Sequence, residues 1–164
     1  MKVELIESST GKVHLADIKL IKYKELPLKK DGWSFNWKSL FKIEGSELYK
    51  ISLEESPSEI QGVLMVTILY GEMLFMNNVE NAPHNIGKNK RYENTAGCLL
   101  AFACKLSFEK GKGNYVGFLS FDSKTKLVEL YQNKYGASLA MGHKMFFGSE
   151  AGKALMKKYL KIKS

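Results

Sequence analysis

An apolar segment from Thr95 to about Lys110 is the feature that most restricts the fold of this chain. Asn94 precedes it as a good N-cap residue and Gly111 follows it, so the segment is predicted to be a helix. It lies between two β-rich runs, one ending near Glu80 and one spanning residues 115–121. A strand, a helix and a strand in this order predict a βαβ unit, whose strands are parallel because the crossover is almost always right-handed.

The segments before this unit predict antiparallel strands. Three runs of alternating or β-branched apolar residues follow one another with only Ser-Pro and Gly-Glu turns between them, which is typical of hairpins. These runs are residues 48–54, 60–70 and 73–80. Nearer the N-terminus, residues 3–7 and 13–21 flank a turn; the second of these segments fits a strand or a helix, and the choice stays open.

The remaining pattern completes a mixed sheet. A short helix is predicted over residues 35–43, a helix from about 124 to 134, a strand over 143–147 and a last helix over 152–160. The order predicts an α/β fold class, or α+β with a mixed sheet covered by helices. Because 164 residues with 45% hydrophobic content can bury one sizeable core but not two, a single domain over 1–164 is expected.

Location and metal content are also restricted. The longest apolar runs fall short of the roughly 20 residues that a membrane span needs, and the N-terminus lacks the apolar core of a signal peptide. A cytoplasmic protein with no membrane partner is therefore expected. Cys98 and Cys104 are expected to be reduced and buried, and no Cys/His cluster has the spacing of zinc ligands, so no metal is expected.

The formal net charge of +8 raises the question of a polyanionic partner. Arg91 is the only arginine among 25 Lys plus Arg, whereas direct readout of bases relies on bidentate arginine. Nucleic acid is therefore not expected as a partner. The lysine-rich surface is either simply solvated or attracts an anionic small ligand.

The turn before the apolar helix has the composition of an anion site. Thr95, Ala96 and Gly97 are small enough to leave the first backbone N–H groups of the helix exposed, and Arg91 adds a charged donor. A phosphate is the ligand that such a turn would bind. Any well-capped helix start has the same composition, so on these residues alone both interpretations stay open.

Residues 91–100, Arg-Tyr-Glu-Asn-Thr-Ala-Gly-Cys-Leu-Leu, resemble the coenzyme A-binding turn of the GCN5-related N-acetyltransferase (GNAT) superfamily, Arg/Gln-x-x-Gly-x-Gly/Ala with trailing leucines. Residues 60–63 and 79–83 resemble the family's central strand and the strand end before that turn, and residues 127–137 resemble its Tyr-x-x-x-Gly-Phe segment. The chain departs from the family at Asn94, where glycine is usual, and at Ala137, where phenylalanine is usual. Asparagine tolerates unusual backbone angles, so the turn is expected to survive.

The resemblance implies a GNAT-like domain, with a mostly antiparallel central sheet and a parallel β-α-β unit that binds acetyl-CoA. It implies transfer of the acetyl group to an amine of a small molecule or peptide, by direct attack in a ternary complex. The pyrophosphate would lie on the turn and the pantetheine arm between the two parallel strands. The residues implied to bind the cosubstrate are Arg91, Tyr92, Glu93, Asn94, Thr95, Ala96, Gly97, Val79 and Ser123.

Two residues receive catalytic roles from the same resemblance. Tyr131 stands where the family commonly keeps the tyrosine that protonates the departing thiolate, and Glu80 is the candidate base, acting directly or through water. The structural alternatives are simple packing against Tyr135 for Tyr131, and a salt bridge to a lysine or a solvated loop carboxylate for Glu80. His84 is a second candidate base. An aminoacyl-tRNA acetyltransferase toxin and a non-catalytic acyl-CoA-binding or protein-binding domain are alternative functions; the acceptor and the oligomeric state, a homodimer included, stay open.

Overall fold

The computed structural model describes residues 1–162. The strands are β1 Lys2–Ile6, β2 Val13–Leu20, β3 Glu47–Leu53, β4 Ser56–Leu69, β5 Met73–Asn81, β6 Leu119–Asp122, β7 Ser138–Met141 and β8 Lys144–Phe147. The α-helices are α1 Trp37–Phe41, α2 Thr95–Lys110, α3 Val128–Tyr135 and α4 Ser149–Leu155, which a π-helical turn Met156–Leu160 follows. The strand order is β1-β2-β3-β4-β5-β6-β8-β7.

The chain forms two compact units. The first comprises Met1–Met65 and Asn78–Leu99, and the second comprises Val66–Asn77 and the chain from Leu100 onward. Strands β4 and β5 and helix α2 contribute residues to both units. The single domain predicted from length stays a prediction.

In the first unit, β1 and β2 form an antiparallel hairpin and β2 pairs with β3. This resolves the choice left open for residues 13–21, because inward-facing Ala16 and Ile18 alternate with more exposed neighbours, the period of a half-buried strand. The predicted short helix is α1, whose Trp37 is fully buried. The unit's core consists of Ile21, Leu26, Trp33, Trp37, Leu48, Val63, Met65 and Ala82.

In the second unit, β6 runs parallel to β5, with Leu74–Met76 paired to Leu119–Phe121, so the predicted parallel pair is confirmed. The second strand begins later than predicted, because Gly117 adopts a φ of +78° and interrupts the extended backbone. A Cβ at this position would lie 2.5 Å from the Phe108 ring, so only glycine fits.

Strand β7 was not predicted. All four of its residues are exposed, and its sequence Ser-Leu-Ala-Met lacks the β-branched residues that mark a strand. Pairing with β8 creates it. Helix α3 ends at Gly136 with a φ of +81°, as the sequence predicted.

Helices α2 and α4 pack closely in the second unit. A Cβ added at Gly152 of α4 would lie 3.4 Å from the Cβ of Cys104 in α2, which is van der Waals contact. Cys98 and Cys104 are reduced thiols and are buried, as predicted. Burial raises the pKa of each thiol to about 12. Among residues 1–162, no helix has the length and apolar character needed to cross a membrane.

Candidate functional site

The turn before α2 is attached to the end of β1. Ser8 N–H donates to the carbonyl of Arg91 (2.8 Å), and Glu93 N–H donates to the carbonyl of Ile6 (3.0 Å). The N–H of Tyr92 donates to Asn85 Oδ1 at 3.2 Å. The backbone donors of residues 92 and 93, which were predicted to bind pyrophosphate, are therefore already occupied by protein acceptors.

Asn94 fixes the last residue of this turn. Its Oδ1 accepts from Ile6 N–H at 2.9 Å, and its Nδ2 donates to the Glu4 carbonyl at 2.8 Å. Its own carbonyl accepts from Cys98 N–H at 3.0 Å, so Asn94 is the N-cap residue by its backbone. Among the described non-glycine residues, positive φ occurs only at Tyr70 and Lys161. Asn94 therefore stands in the turn for its side-chain contacts with β1, and unusual backbone angles play no part.

The first turn of α2 supplies the remaining main-chain donors. The N–H groups of Thr95, Ala96 and Gly97 precede the first intrahelical bond, which Cys98 makes, and so have no partner within the helix. Small side chains surround them, and the positive end of the helix dipole lies at the same place. Their arrangement suits an anion such as a phosphate.

Thr95 packs against β4 through Gly62. A Cβ at Gly62 would lie 2.8 Å from Leu99 Cδ1, 3.3 Å from Thr95 Cγ2 and 3.2 Å from the Glu80 carbonyl, so glycine allows α2 to approach the strand. The Thr95 hydroxyl is buried and has no hydrogen-bond partner among residues 1–162. The start of α2 is thus held in place by packing as well as by Asn94.

Arg91 is bound to a carboxylate. Its guanidinium donates to Glu59 Oε1 at 2.8 Å, lies over the Tyr92 ring and remains half-exposed. Beside it is a cavity of about 380 Å³, which Glu7, Glu55 and Glu59 also line. An incoming phosphate would have to draw Arg91 away from Glu59, to which it is already bound. The three carboxylates that line the cavity would repel a phosphate placed inside it.

Glu80 lies in β5 and is buried, with 8% of its surface exposed. Oε2 accepts from Ser34 N–H at 2.5 Å, and Oε1 accepts from Phe35 N–H at 3.2 Å and from the Trp37 indole at 2.9 Å. The carboxylate therefore anchors the segment that leads into α1. A salt bridge was considered as the structural alternative for Glu80, but the partners found are three neutral N–H donors. Val79 precedes Glu80 in β5. Its side chain is apolar, so only its backbone N–H and carbonyl could form hydrogen bonds with a cosubstrate.

His84 follows β5 in a short turn, and its side chain is one-third exposed. Its Nε2 lies 2.6 Å from Gln61 Oε1, and Gln61 itself is fully buried in β4. Burial, and then the charge of Arg91, lowers the pKa of His84 below its usual value. Sequence reasoning passed over Gln61, although an amide within an apolar strand run is itself a sign of a buried polar network.

Ser123 and Tyr131 belong to the second unit. Ser123 is buried, and its hydroxyl donates to the Lys124 carbonyl at 2.9 Å. It lines a surface depression of about 520 Å³ together with His143 and Lys144. Lys124 and Lys144 supply positive charge there and Asp122 a negative one, so a phosphate-bearing ligand would meet a net positive charge.

Tyr131 packs edge-on against Phe121, with ring centroids 4.9 Å apart, and against Tyr135 at 6.2 Å. Burial raises the pKa of its phenol, so the hydroxyl stays protonated at neutral pH. These contacts fit the packing role, and the protonated hydroxyl fits the proton-donor role. That Tyr131 and the turn before α2 serve one site stays a prediction.

The fold is that of GNAT acetyltransferases. No protein-family model and no curated protein matches the chain. The KacTA–DNA complex superposes with a TM-score of 0.62 at 8% identity, over 87% of this chain and 99% of that one. The N-acetyltransferase PseH of Campylobacter jejuni, in complex with acetyl coenzyme A, gives 0.53 at 16% identity, over 80% of this chain and 99% of that one. A GNAT family acetyltransferase of Elizabethkingia anophelis, with acetyl-CoA bound, superposes with a TM-score of 0.53 at 18% identity, over 77% of this chain and 78% of that one.

The similarity confirms the predicted GNAT-like fold and corrects one expectation. Nucleic acid was not expected as a partner because the chain has one arginine, yet a structure with this fold is a complex with DNA. A single arginine does not exclude such a partner, because arginine content bears only on the direct reading of bases. Contacts to the phosphate backbone need only positive charge, which lysine supplies as well.

Proposed function

We propose that this protein is an acetyl-CoA-dependent N-acetyltransferase acting on an amine of a small molecule or peptide. The observation that carries the proposal is the start of α2, where three main-chain donors among small side chains are held on β1 by Asn94. A pyrophosphate is the ligand that this arrangement suits. The presence of acetyl-CoA in two acetyltransferases of the same fold supports this choice of cosubstrate.

In the proposed reaction, the nitrogen lone pair of the amine attacks the carbonyl carbon of the thioester. A C–N bond forms, the C–S bond breaks, the amine loses one proton to a base, and the thiolate gains one. Tyr131 is the proposed donor of the second proton, since its phenol is protonated at neutral pH. An acyl-cysteine intermediate is not part of the proposal, because thiols with a pKa of about 12 are poor nucleophiles at neutral pH.

Arg91 contributes by exchanging partners. In the free protein its guanidinium pairs with Glu59; on binding it would turn to the pyrophosphate, a stronger charge-assisted acceptor. The net gain from this contact is therefore smaller than for an unpaired arginine.

The experiment is a thermal melt with and without acetyl-CoA, followed by thiol release across a panel of amines. Ligand at one hundred times its Kd adds about 2.7 kcal/mol to the free energy of unfolding, which gives a clear upward shift in Tm. Thiol release that depends on one class of amine identifies the acceptor. The proposal fails if millimolar acetyl-CoA leaves Tm unchanged; a shift without release from any amine favours the non-catalytic acyl-CoA-binding alternative.

A further inference from the structure

A hydrogen-bond network after β5 assigns a base to the proposed reaction, and the inference rests on that proposed function. The amine must lose a proton, and the predicted base, Glu80, already accepts from Ser34, Phe35 and the Trp37 indole. Taking up a proton would weaken all of these contacts at once. The next titratable side chain along the chain is His84, three residues after β5 ends.

The network begins at Asn85, which is buried. Its Oδ1 accepts from the Tyr92 N–H at 3.2 Å, and its Nδ2 donates to the Gln61 carbonyl at 3.1 Å. A backbone N–H can only donate and a backbone carbonyl can only accept. These two partners therefore fix which end of the Asn85 amide is the oxygen.

The orientation of Gln61 follows from that of Asn85. Asn85 Nδ2 also lies 3.0 Å from the side chain of Gln61, so the atom of Gln61 that faces it must be the acceptor Oε1. The reversed amide would place two donors against each other. Because Gln61 has no exposed surface, water cannot relieve such a conflict.

The tautomer of His84 follows in turn. Its Nε2 lies 2.6 Å from the same Gln61 Oε1, which is an acceptor, so Nε2 must carry the hydrogen. In the neutral ring the other nitrogen, Nδ1, then holds a free lone pair. The two backbone groups that orient Asn85 thus set the basic nitrogen of His84 through two buried amides.

We infer that His84, held as the Nε2–H tautomer by Gln61 and Asn85, accepts the proton of the acceptor amine on Nδ1. In the balanced step the amine nitrogen gives up its proton to Nδ1 as the C–N bond forms, and the imidazolium later returns it to solvent. Gln61 and Asn85 are positioning residues. They touch neither substrate nor cosubstrate, and they act only through the His84 ring.

Two charged side chains face this ring. Glu59, on β4, lies 4.0 Å from Nε2 and favours the imidazolium, whereas Arg91, in the turn before α2, opposes it. Burial also opposes the charged form and is the largest effect, so the ring is neutral and able to accept a proton at neutral pH.

The first test is nitrogen NMR of the uniformly labelled protein, with His84→Asn used for assignment among the three histidines. The expected result is the Nε2–H tautomer and a ring pKa below 6.5, in the absence of any substrate. An Nδ1–H tautomer, or a ring still protonated at pH 7, overturns the inference. This readout does not depend on turnover, so it separates failure of the inference from failure of the proposed function.

The second test is the pH profile of kcat/KM with a weakly basic amine from the panel, chosen because it stays neutral over the range and leaves the enzyme's base visible. The wild type should show an acid limb at the His84 pKa found by NMR. His84→Asn should remove that limb and lower kcat/KM by roughly 10²–10⁴-fold. Gln61→Glu, which places a carboxylate against Nε2, should move the limb up by roughly one to three pH units.

The matched control is His14→Asn. His14, on β2, contacts Glu7 at 2.7 Å and the Tyr92 ring, so its loss can change acetyl-CoA affinity but removes no group that positions the His84 ring. This variant should keep both the limb and its position. If His84 is purely structural, the Nε2–H tautomer is still expected, but the pH profile of kcat/KM should be flat or should be unchanged in His84→Asn. Either result overturns the inference. Acetyl-CoA melts of each variant confirm that folding and cosubstrate binding persist; should His84→Asn not fold, the wild-type NMR result and the Gln61→Glu shift still decide.

Discussion

Two regions that were predicted to serve one reaction are held in opposite ways. In the first unit, the polar region of Glu80, Arg91 and Asn94 is positioned by hydrogen bonds and an ion pair to distant backbone and side chains. In the second unit, Tyr131 is positioned by aromatic packing on Phe121 and Tyr135. In the polar region, deletion of one side chain leaves its hydrogen-bond partners in other segments unpaired, whereas the aromatic cluster keeps its packing when one hydroxyl is lost. Substitution of Glu80 or Asn94 should therefore lower stability, whereas loss of the Tyr131 hydroxyl should change turnover alone.

The largest effect is expected for Glu80→Ala. The substitution leaves two backbone N–H groups and the buried Trp37 indole without an acceptor, and each orphaned donor costs about 1–3 kcal/mol. The free energy of unfolding in urea should fall by roughly 3–5 kcal/mol. Glu55→Ala is the control, because the Glu55 side chain is 70% exposed and its loss should change stability by no more than about 0.5 kcal/mol. Equal stability of the two variants would show that Glu80 is not an anchor.

Tyr131→Phe tests the aromatic cluster. The ring packing persists and only the hydroxyl is lost, so Tm should be unchanged while kcat and kcat/KM fall together by on the order of 10²-fold. Tyr115→Phe, at a tyrosine of the same unit that is 37% exposed, is the control and should have wild-type turnover. Wild-type turnover in Tyr131→Phe would assign that residue to packing and leave the thiolate to be protonated by water.

Asn94→Ala should lower stability and acetyl-CoA affinity together. Two hydrogen bonds to β1 are lost, one exposed and one part-buried, and each is worth about 0.5–1.5 kcal/mol in the free energy of unfolding because water can replace the lost partner. Asn94→Gly supplies the residue usual in the GNAT turn and separates two explanations. A similar loss in Asn94→Gly supports the side-chain role, whereas wild-type behaviour would mean that only the backbone angle matters. Urea unfolding and calorimetric titration with acetyl-CoA measure both quantities.

The smallest effect is expected for Arg91→Ala. Stability should change by less than about 1 kcal/mol, because the pair with Glu59 is exposed. The Kd for acetyl-CoA should rise by roughly five-fold to ten-fold, since the phosphate contact is offset by the pairing that is given up. Glu59→Gln sharpens the test, because it frees Arg91 in the unbound protein and should tighten binding. Identical Kd values in all three proteins would place the pyrophosphate elsewhere.

Local signals in the sequence were enough for most of the fold. The N-cap Asn94, the apolar run after it and Gly111 gave the bounds of α2, and Gly136 gave the end of α3. They failed where no local signal exists. The four exposed residues of β7 form a strand because β8 lies beside them, and β6 begins late because the Phe108 ring leaves room only for Gly117.

The sequence by itself determined the order of elements from β3 to α4 except β7, the two parallel strands around α2 and the small residues at its start. These follow from periodicity, caps and turn residues within a few positions of one another. Only the tertiary structure decided what each polar side chain does. Asn94 bonds to backbone groups 88 and 90 residues away, and Glu80 accepts from donors 43 to 46 residues away. A buried polar group must find a partner, but the identity of that partner depends on which segments the fold brings together.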